Sequence, residues 1–335
     1  MLSNTFKALL VEKTGDAQVT HRLVEQPLEA LPAGEVLIRV SYSSLNYKDA
    51  LSAKGHPGVT TIFPHIPGID AAGTVVSSTV SAFQAGDAVI VTGFDLGMNT
   101  WGGFAEYVRV PAAWVVPLPQ RMTLKESMIL GTAGLTAALC VDALLHRGVC
   151  DGEVLVTGST GGVGSLAVAI LAKLDYSVTA VTGKVAQHEY LRSLGATCIL
   201  SREEAIDQTG KPLLKERWIG VVDTVGGAML GTALKSTRYG GCVTACGLVG
   251  GAELATTIYP FILRGVCLQG IDSANCPMSH RLSLWHKLAT DWKPANLEDM
   301  AQVVGLNQLS EQIDRMLQGQ SVGRVVVVPT DSGNP

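Results

Sequence analysis

Charge is scarce in this sequence. Only 16% of its 335 residues are charged, against about 25% in an average soluble protein, while 47% are apolar. A disordered chain has the opposite balance, so disorder is excluded. The formal net charge of −4 also excludes the basic surface by which proteins bind nucleic acids, and no nucleic-acid partner is expected. Such a chain can bury a large core, and its length predicts about two domains.

Signal-like and membrane-spanning segments are also lacking. The apolar run at residues 8–11 is too short for the core of a signal peptide. Residues 154–172 carry no charge, but their four glycines favour a strand, a turn and a helix over a membrane span. No cysteine occurs before Cys140, and the seven cysteines of the chain are an odd number, typical of free thiols in a reducing compartment. We therefore expect a cytoplasmic protein without a membrane partner.

The pattern of short strands changes along the chain. Before residue 126, β-branched runs at 36–40, 73–76, 87–91 and 107–110 lie between glycines and prolines, which predicts a barrel-like β domain. Beyond it, apolar strands at 154–157, 177–181, 197–200, 218–222, 241–245 and 266–271 alternate with helical segments such as 165–174 and 187–194. That alternation predicts a parallel sheet covered on both faces. A helical segment at 280–292, a helix at 309–317 and a strand at 325–328 follow.

A glycine loop, TGSTGGVGS at 157–165, follows the first predicted parallel strand and opens its helix. Glycines there allow a tight turn and a close approach of backbone to a pyrophosphate, whose charge the N–H groups of the helix start can hold. The spacing is GxxGGxG rather than GxGxxG. Its place between strand and helix favours a dinucleotide site over the alternative, a purely structural turn.

Acidic residues are absent from residues 176–188, where the second parallel strand ends. Enzymes that use NAD usually have Asp or Glu there, which accepts hydrogen bonds from the ribose. Here Thr182, Gly183 and Lys184 occupy the position, and Arg202 follows the third strand. Threonine and lysine can bind a 2′-phosphate, so the pattern predicts NADPH. The alternative is that Lys184 is an ordinary solvated lysine.

Several motifs resemble a known family. The segments SLNYKD at 44–49, PGID at 67–70, WGG at 101–103, GTAG at 131–134 and the glycine loop resemble the medium-chain dehydrogenase/reductase superfamily. The segments DTVGG at 223–227, CGL at 246–248 and PFILR at 260–264 resemble its acryloyl-CoA reductase branch. The resemblance implies an α/β protein with a GroES-like β-barrel catalytic domain, residues 1–126 and 274–335. A Rossmann domain with a doubly wound parallel sheet, residues 127–273, is inserted into it.

Zinc ligands are missing where this superfamily carries them. Zinc-dependent members have Cys near the position of Asn46 and Gly-His-Glu near positions 68–70, where this chain has Gly68, Ile69 and Asp70. Asparagine and isoleucine leave too few ligands, so no metal is predicted. The remaining chemistry is hydride delivery to a carbon–carbon double bond already conjugated to a carbonyl, which hydrogen-bond donors at the carbonyl oxygen assist.

The resemblance implies an NADPH-dependent reductase of α,β-unsaturated acyl-CoA, with acryloyl-CoA reduced to propanoyl-CoA. A quinone or enone reductase with the same fold and cofactor is one alternative. A non-catalytic NADPH-binding protein is another. Members of the family are usually dimers joined through the last strand of the Rossmann sheet, so we expect a homodimer joined at residues 266–271.

The resemblance also implies the site residues. Catalytic candidates are Tyr47, Asn46 and Asp70; proton donation by Tyr47 is a hypothesis, and Asn46 could equally satisfy loop backbone. Asp49 is expected to orient Lys48. Arg324 is implied near a phosphate of cofactor or substrate, with a surface charge as the equal alternative. The predicted cofactor-binding residues are Tyr47, Thr160, Gly161, Gly162, Val163, Thr182, Gly183, Lys184, Arg202, Leu248, Ile271, Ser273 and Arg324.

Overall fold

The structure, a computed structural model, describes residues 4–13 and 19–330. The chain divides into two compact units. The first comprises Met1–Thr132, Ala274–Ala289 and Leu297–Pro335, and the second comprises Ala133–Ser273 and Thr290–Asn296. Parts of the predicted catalytic domain, residues 1–3, 14–18 and 331–335, lie outside the described residues.

The strands and helices are numbered in chain order. The N-terminal elements are β1 (Thr5–Lys13), β2 (Val19–Pro27), β3 (Val36–Leu45), α1 (Tyr47–Ala53), β4 (Asp70–Ser78), β5 (Ala88–Thr92), β6 (Tyr107–Val110), β7 (Val115–Pro117) and α2 (Leu124–His146). The central elements are β8 (Glu153–Val156), α3 (Gly162–Lys173), β9 (Ser177–Val181), α4 (His188–Ser193), β10 (Cys198–Leu200), β11 (Trp218–Asp223), α5 (Gly227–Ser236), β12 (Thr237–Ala245), α6 (Tyr259–Arg264) and β13 (Cys267–Gly270). The C-terminal elements are α7 (Met278–Ala289), β14 (Ala301–Gly305), α8 (Leu309–Leu317) and β15 (Arg324–Val328).

Strand β3 organises the first unit. It pairs antiparallel with β4 along most of its length, with β6 near its start and with β15 near its end. The pairing of β3 with β4 shifts register at Leu37/Ile38 and at Val40/Tyr42. Irregularities of this kind bend a strand. Its inward side chains, among them Val36, Ile38 and Val40, are buried with those of β5 and β6. The strands predicted at 36–40, 73–76, 87–91, 107–110 and 325–328 are confirmed to within a few residues.

The second unit contains a fully parallel six-stranded sheet. Its strand order is β10-β9-β8-β11-β12-β13, the doubly wound Rossmann order, which confirms the predicted α/β fold class. The order reverses between β8 and β11. In open parallel sheets, ligands bind beyond the carboxyl ends of the strands at that point of reversal. Thr157 follows β8 and Asp223 ends β11, so both lie there.

One described helix, α2, is long and apolar enough to cross a membrane by length and composition alone. Of its most apolar window, 89% is buried inside the fold, as in the core helices of globular proteins. The backbone leaves the helical region at Gly131, with φ 52° and ψ −152°. The uncharged stretch at 154–172 forms β8, the glycine loop and most of α3, which confirms the predicted strand, turn and helix.

Candidate functional site

The glycine loop folds tightly around the carbonyl of Gly158. This residue has φ +59°, and its carbonyl accepts a hydrogen bond from Gly161 N at 2.9 Å. A β-carbon at Gly164 would lie only 2.4 Å from that carbonyl oxygen, so any side chain there would force the loop apart from the helix. Thr160 is buried in the same turn. The turn is therefore closed by a backbone hydrogen bond, while the side chains of Thr157 and Ser159 bond to the neighbouring strands.

The outer face of this turn is open at Gly161. A β-carbon at Gly161 would meet one atom, Gly158 O at 3.3 Å, so the space beside this residue is otherwise open. Gly161 is the N-cap of α3, and no side chain caps that helix start. Uncapped amides at the start of a twelve-residue helix attract a negatively charged group. Gly162 and Val163 form the first turn and are half-buried.

The predicted 2′-phosphate residues lie together at the end of β9. A β-carbon at Gly183 would lie 2.9 Å from Arg202 Nε, so only glycine lets the guanidinium approach so closely. Burial, and then the positive charge of Arg202, lower the pKa of Lys184. Thr182 is buried, and its hydroxyl accepts a hydrogen bond from Lys184 N at 3.1 Å. Lys184 is half-buried.

Three other predicted cofactor residues lie on loops that leave the same sheet. Leu248 follows β12 and is 66% exposed, which is unusual for so large an apolar side chain. Ile271 leaves β13 and donates its amide to Ala245 O at 3.0 Å. Ser273 accepts a hydrogen bond from Thr136 Oγ1 at 2.8 Å. These contacts are compatible with the predicted role and do not by themselves test it.

Two of the catalytic candidates, Asn46 and Asp70, form a buried polar network around Asn46, the N-cap of α1. The side-chain amide of Asn46 donates to Asp70 Oδ2 at 2.8 Å and to Asp49 Oδ2 at 3.2 Å. Asp49 Oδ2 in turn accepts from Asn46 N at 2.8 Å, which completes a capping box. Burial and then the proximity of Asp70 raise the pKa of Asp49 to about 7.

Asp70 is the acceptor at the centre of this network. Ser44 Oγ donates to it at 2.6 Å, and Thr132 donates through its hydroxyl at 2.6 Å and through its amide at 2.9 Å. A β-carbon at Gly131 would lie 2.5 Å from Asp70 Oδ2 and 2.6 Å from Ser44 Oγ. The break in α2 at Gly131 therefore brings the backbone directly onto the carboxylate.

Arg324 completes the network from the start of β15. It is buried, and it donates to Ile129 O at 2.8 Å, Asn46 Oδ1 at 3.2 Å and Leu45 O at 3.3 Å. Its Nη2 lies 4.0 Å from Asp70 Oδ2. The alternative of a surface charge is therefore wrong, and the contacts that the structure gives for Arg324 are with this network.

Two expectations for the Asn46 turn need revision. The expectation that Asp49 orients Lys48 is wrong, because the Asp49 carboxylate accepts hydrogen bonds from Gly68 N at 3.1 Å, from Ile69 N at 2.8 Å and from Asn46, while Lys48 is only half-buried. Asn46 makes one side-chain contact with loop backbone, to Ser44 O at 3.3 Å, but its shorter bonds go to the two carboxylates. Tyr47, the first residue of α1, keeps 42% of its surface exposed.

The residues at the superfamily's zinc positions do not fit a metal. Asn46 is committed to Asp70 and Arg324, and Ile69 is a buried aliphatic side chain that cannot coordinate. Within the described part of the chain, no three His, Cys, Asp or Glu side chains cluster as metal ligands would. No step of the chemistry below passes through a metal.

Comparison with known proteins places the chain in a family. Residues 32–120 match the family model of the alcohol dehydrogenase GroES-like domain, and residues 162–289 match that of zinc-binding dehydrogenases. The chain is 46% identical over 325 residues to acrylyl-CoA reductase AcuI of Ruegeria pomeroyi, covering 96% of this chain and 98% of that one. The chain belongs to the medium-chain dehydrogenase/reductase superfamily. Within it, the chain belongs to the acrylyl-CoA reductase branch.

Solved structures of similar proteins share the fold of this superfamily member. The yhdH oxidoreductase of Salmonella enterica, solved in complex with NADP, is 45% identical with a TM-score of 0.93, over 96% of this chain and 99% of that one. The yhfP protein of Bacillus subtilis, solved with NAD bound, is 46% identical with a TM-score of 0.95, over 97% and 100%. The two relatives thus differ in the dinucleotide they were solved with.

Sequence reasoning missed Ser44 and Thr132 as partners of Asp70. Both lie inside quoted motifs, SLNYKD at 44–49 and GTAG at 131–134. The available signal was a small hydroxyl side chain in each of these two motifs, together with the Asp70 carboxylate, for which the sequence offered no partner. Only the fold shows that residues 62 positions apart, Asp70 and Thr132, form a hydrogen bond.

Proposed function

We propose that this protein reduces the carbon–carbon double bond of an α,β-unsaturated acyl-CoA with NADPH, converting acryloyl-CoA to propanoyl-CoA without a metal. One observation carries the reaction class: Asn46 and Ile69 replace ligands at the zinc positions, and Asn46 is tied into a closed hydrogen-bonded network. An enzyme without a Lewis acid there needs a substrate whose carbonyl already polarises the reacting bond. The substrate class is supported by 46% identity to an acrylyl-CoA reductase along nearly the whole chain.

The second unit supplies the cofactor residues. The uncapped start of α3, with Thr160, Gly161, Gly162 and Val163, would hold the pyrophosphate. Thr182, Gly183, Lys184 and Arg202 would hold the 2′-phosphate, and Leu248, Ile271 and Ser273 would line the nicotinamide end. When bound there, NADPH supplies the hydride. Two adjacent cations support NADPH over NADH, because a 2′-phosphate offsets their mutual repulsion.

The reduction adds a hydride and a proton across the double bond. The β-carbon of the thioester receives the hydride, and negative charge moves to the carbonyl oxygen. A proton from a side chain or water then joins the α-carbon, and the carbonyl re-forms. A hydrogen-bond donor aimed at that oxygen lowers the barrier, since the charge exists only during reaction.

Tyr47 is the candidate for this donor. Its phenol is partly exposed at the first position of α1, and the capping box between Asn46 and Asp49 fixes that turn. Asn46 and Asp70 are buried and bonded to one another, so they act as positioning residues for Tyr47. Arg324 is assigned the same supporting role, because its donors face Asn46 and two backbone carbonyls.

A second copy of the chain is the expected partner protein. Strand β13 pairs with β12 on one side and is the last strand of its sheet, so its other edge is unpaired in the described sheet. Large apolar side chains are exposed nearby in the chain: Val249, Ile258, Ile262 and Leu263. The open edge and the exposed apolar side chains each support a homodimer. All seven cysteines are free, which supports a cytoplasmic location.

One assay tests the proposed function directly. Oxidation of NADPH is followed in parallel with acryloyl-CoA, crotonyl-CoA and 1,4-benzoquinone. We expect kcat/KM to be highest with acryloyl-CoA. Reduction of the quinone without activity on either thioester would contradict the assignment and favour the quinone reductase. Binding of NADPH without turnover of any of the three would favour the non-catalytic alternative.

A further inference from the structure

Asp223 is a buried carboxylate at the switch point of the parallel sheet. It ends β11, is fully buried, and stands next to the loop that follows β8. Its oxygens accept hydrogen bonds from Thr157 Oγ1 at 2.7 Å and from Gly226 N at 2.7 Å. The network around Asn46 does not involve it, and the groups that donate to its carboxylate lie outside the predicted set of site residues.

The partners of Asp223 belong to different loops. Thr157 begins the glycine loop, and Gly226 precedes α5. The backbone carbonyl of Asp223 also accepts from Cys246 N at 3.0 Å, at the start of the loop that carries Leu248. A single residue therefore joins the three loops that follow β8, β11 and β12.

These loops are packed so closely that small shifts would be transmitted between them. A β-carbon at Gly158 would lie 2.3 Å from Thr224 Oγ1, and one at Gly247 would lie 2.1 Å from Thr224 O. Thr224 in turn donates its amide to Thr157 Oγ1 at 3.0 Å and its hydroxyl to Thr157 O at 2.9 Å. The glycine loop and the Leu248 loop thus both pack against Thr224, the residue that follows Asp223.

A charged group in this place has a cost. Burial raises the pKa of Asp223, and hydrogen bonds from Thr157, Gly226 and Val225 oppose that rise. A neutral side chain would avoid the desolvation penalty, but the hydrogen bonds that it accepted from the two loops would be weaker than those to a carboxylate. The carboxylate is therefore suited to holding loops at a fixed spacing.

We infer that Asp223 is a positioning residue that sets the spacing between the pyrophosphate loop and the Leu248 loop. The inference rests on the proposed function, since it assumes that these loops bind a dinucleotide. Because Asp223 is fully buried, we assign it no direct contact with the cofactor. Loss of its carboxylate should weaken the binding of NADPH and of NADH equally, because the two loops hold the pyrophosphate and the nicotinamide, which both dinucleotides have. The 2′-phosphate pocket should be unaffected.

The test measures dinucleotide binding by the full chain, from the quenching of tryptophan fluorescence, rather than turnover. Asp223→Asn and Thr157→Val should each raise the Kd of NADPH and of NADH about tenfold, the size of one lost buried hydrogen bond. Thr157→Ser keeps the hydroxyl and should restore binding to within about twofold of the parent. If Asp223→Asn does not fold, the two Thr157 variants decide.

Thr244→Val is the matched control. Thr244 is buried on the neighbouring β12, and its hydroxyl donates to Val221 O at 3.0 Å. Its loss should lower the melting temperature and leave both Kd values unchanged. Parent-like binding by Thr157→Val, or an equal loss in Thr244→Val, would overturn the inference. A parent chain that binds neither dinucleotide would contradict the proposed function instead.

Discussion

The side-chain amide of Asn46 donates to the Asp70 carboxylate at 2.8 Å. Asn46 stands where zinc-dependent relatives have a cysteine, and Asp70 follows the position of their histidine. Asn46 is thus held by a hydrogen bond to a carboxylate where a zinc-dependent relative has a ligand. Because Asn46 also caps α1, this bond contributes to the placement of Tyr47 at the start of that helix.

A charged side chain at position 46 tests whether water is excluded from this network. Asn46→Asp would place a third carboxylate beside Asp49 and Asp70, with Arg324 as the nearby cation. We expect its melting temperature at neutral pH to fall roughly 10 °C below that of Asn46→Ala, because one arginine cannot compensate three carboxylates and an unpaired buried charge costs about 3–5 kcal/mol. Differential scanning calorimetry measures both variants. If Asn46→Asp and Asn46→Ala melted at the same temperature, water would reach the carboxylate at position 46, and the network would not be closed.

The raised pKa of Asp49 predicts a pH dependence of stability. Its pKa is about 7 in the folded chain against an ordinary value of 3.8, so between these values the folded state holds a proton that the unfolded state loses. Stability is then lost as pH rises through this window. Asp49→Asn carries no such proton, and its melting temperature relative to the parent should rise by roughly 5 °C from about pH 5 to about pH 8. A difference that stays constant over this range would contradict the shift.

Lys184 and Arg202 should determine the choice of dinucleotide. We expect Lys184→Ala and Arg202→Ala each to raise the Kd of NADPH about tenfold, since each removes a charge-assisted contact with the 2′-phosphate. The Kd of NADH should stay within about twofold, because NADH lacks that group. Isothermal titration calorimetry measures both, with Lys211→Ala, an exposed lysine, as the control. Equal losses for NADPH and NADH would remove the basis of the NADPH assignment.

Tyr47→Phe tests the hydrogen-bond donor. Removing the phenol hydroxyl should lower kcat about 100-fold, the typical loss for a donor to a developing oxyanion, while the melting temperature stays unchanged. Tyr239→Phe, at a 74% exposed tyrosine of the second unit, should leave kcat unchanged. Steady-state kinetics with acryloyl-CoA provide the measurement. Full turnover by Tyr47→Phe would rule out the donor role.

Local patterns predicted much of the fold. The strand at 177–181 and the helix at 309–317 match β9 and α8 residue for residue, because apolar periodicity and flanking turns define such elements locally. The β1–β2 hairpin was missed, since β2 is largely solvated and shows no apolar run. Helix α2 was also missed; its backbone is non-helical at Gly131.

The candidate site was predicted only in part, for a physical reason. The glycine loop and the Thr182–Lys184 segment are contiguous, so sequence spacing is sufficient to find them. The network around Asn46 joins residues as far apart as Asn46 and Arg324, 278 positions along the chain. The sequence shows Asp223 only as part of the DTVGG motif. Its partners on the two loops can be identified only from the fold, in which β8 and β11 are neighbouring strands.

The fate of the hydride is the most direct test of the central claim. The full chain is incubated with acryloyl-CoA and NADPH deuterated at the transferable C4 position, and the product is examined by mass spectrometry and NMR. The account predicts propanoyl-CoA with one deuterium at C3, the β-carbon, and solvent-derived hydrogen at C2. Label at C2, or oxidation of the cofactor without propanoyl-CoA, would contradict it.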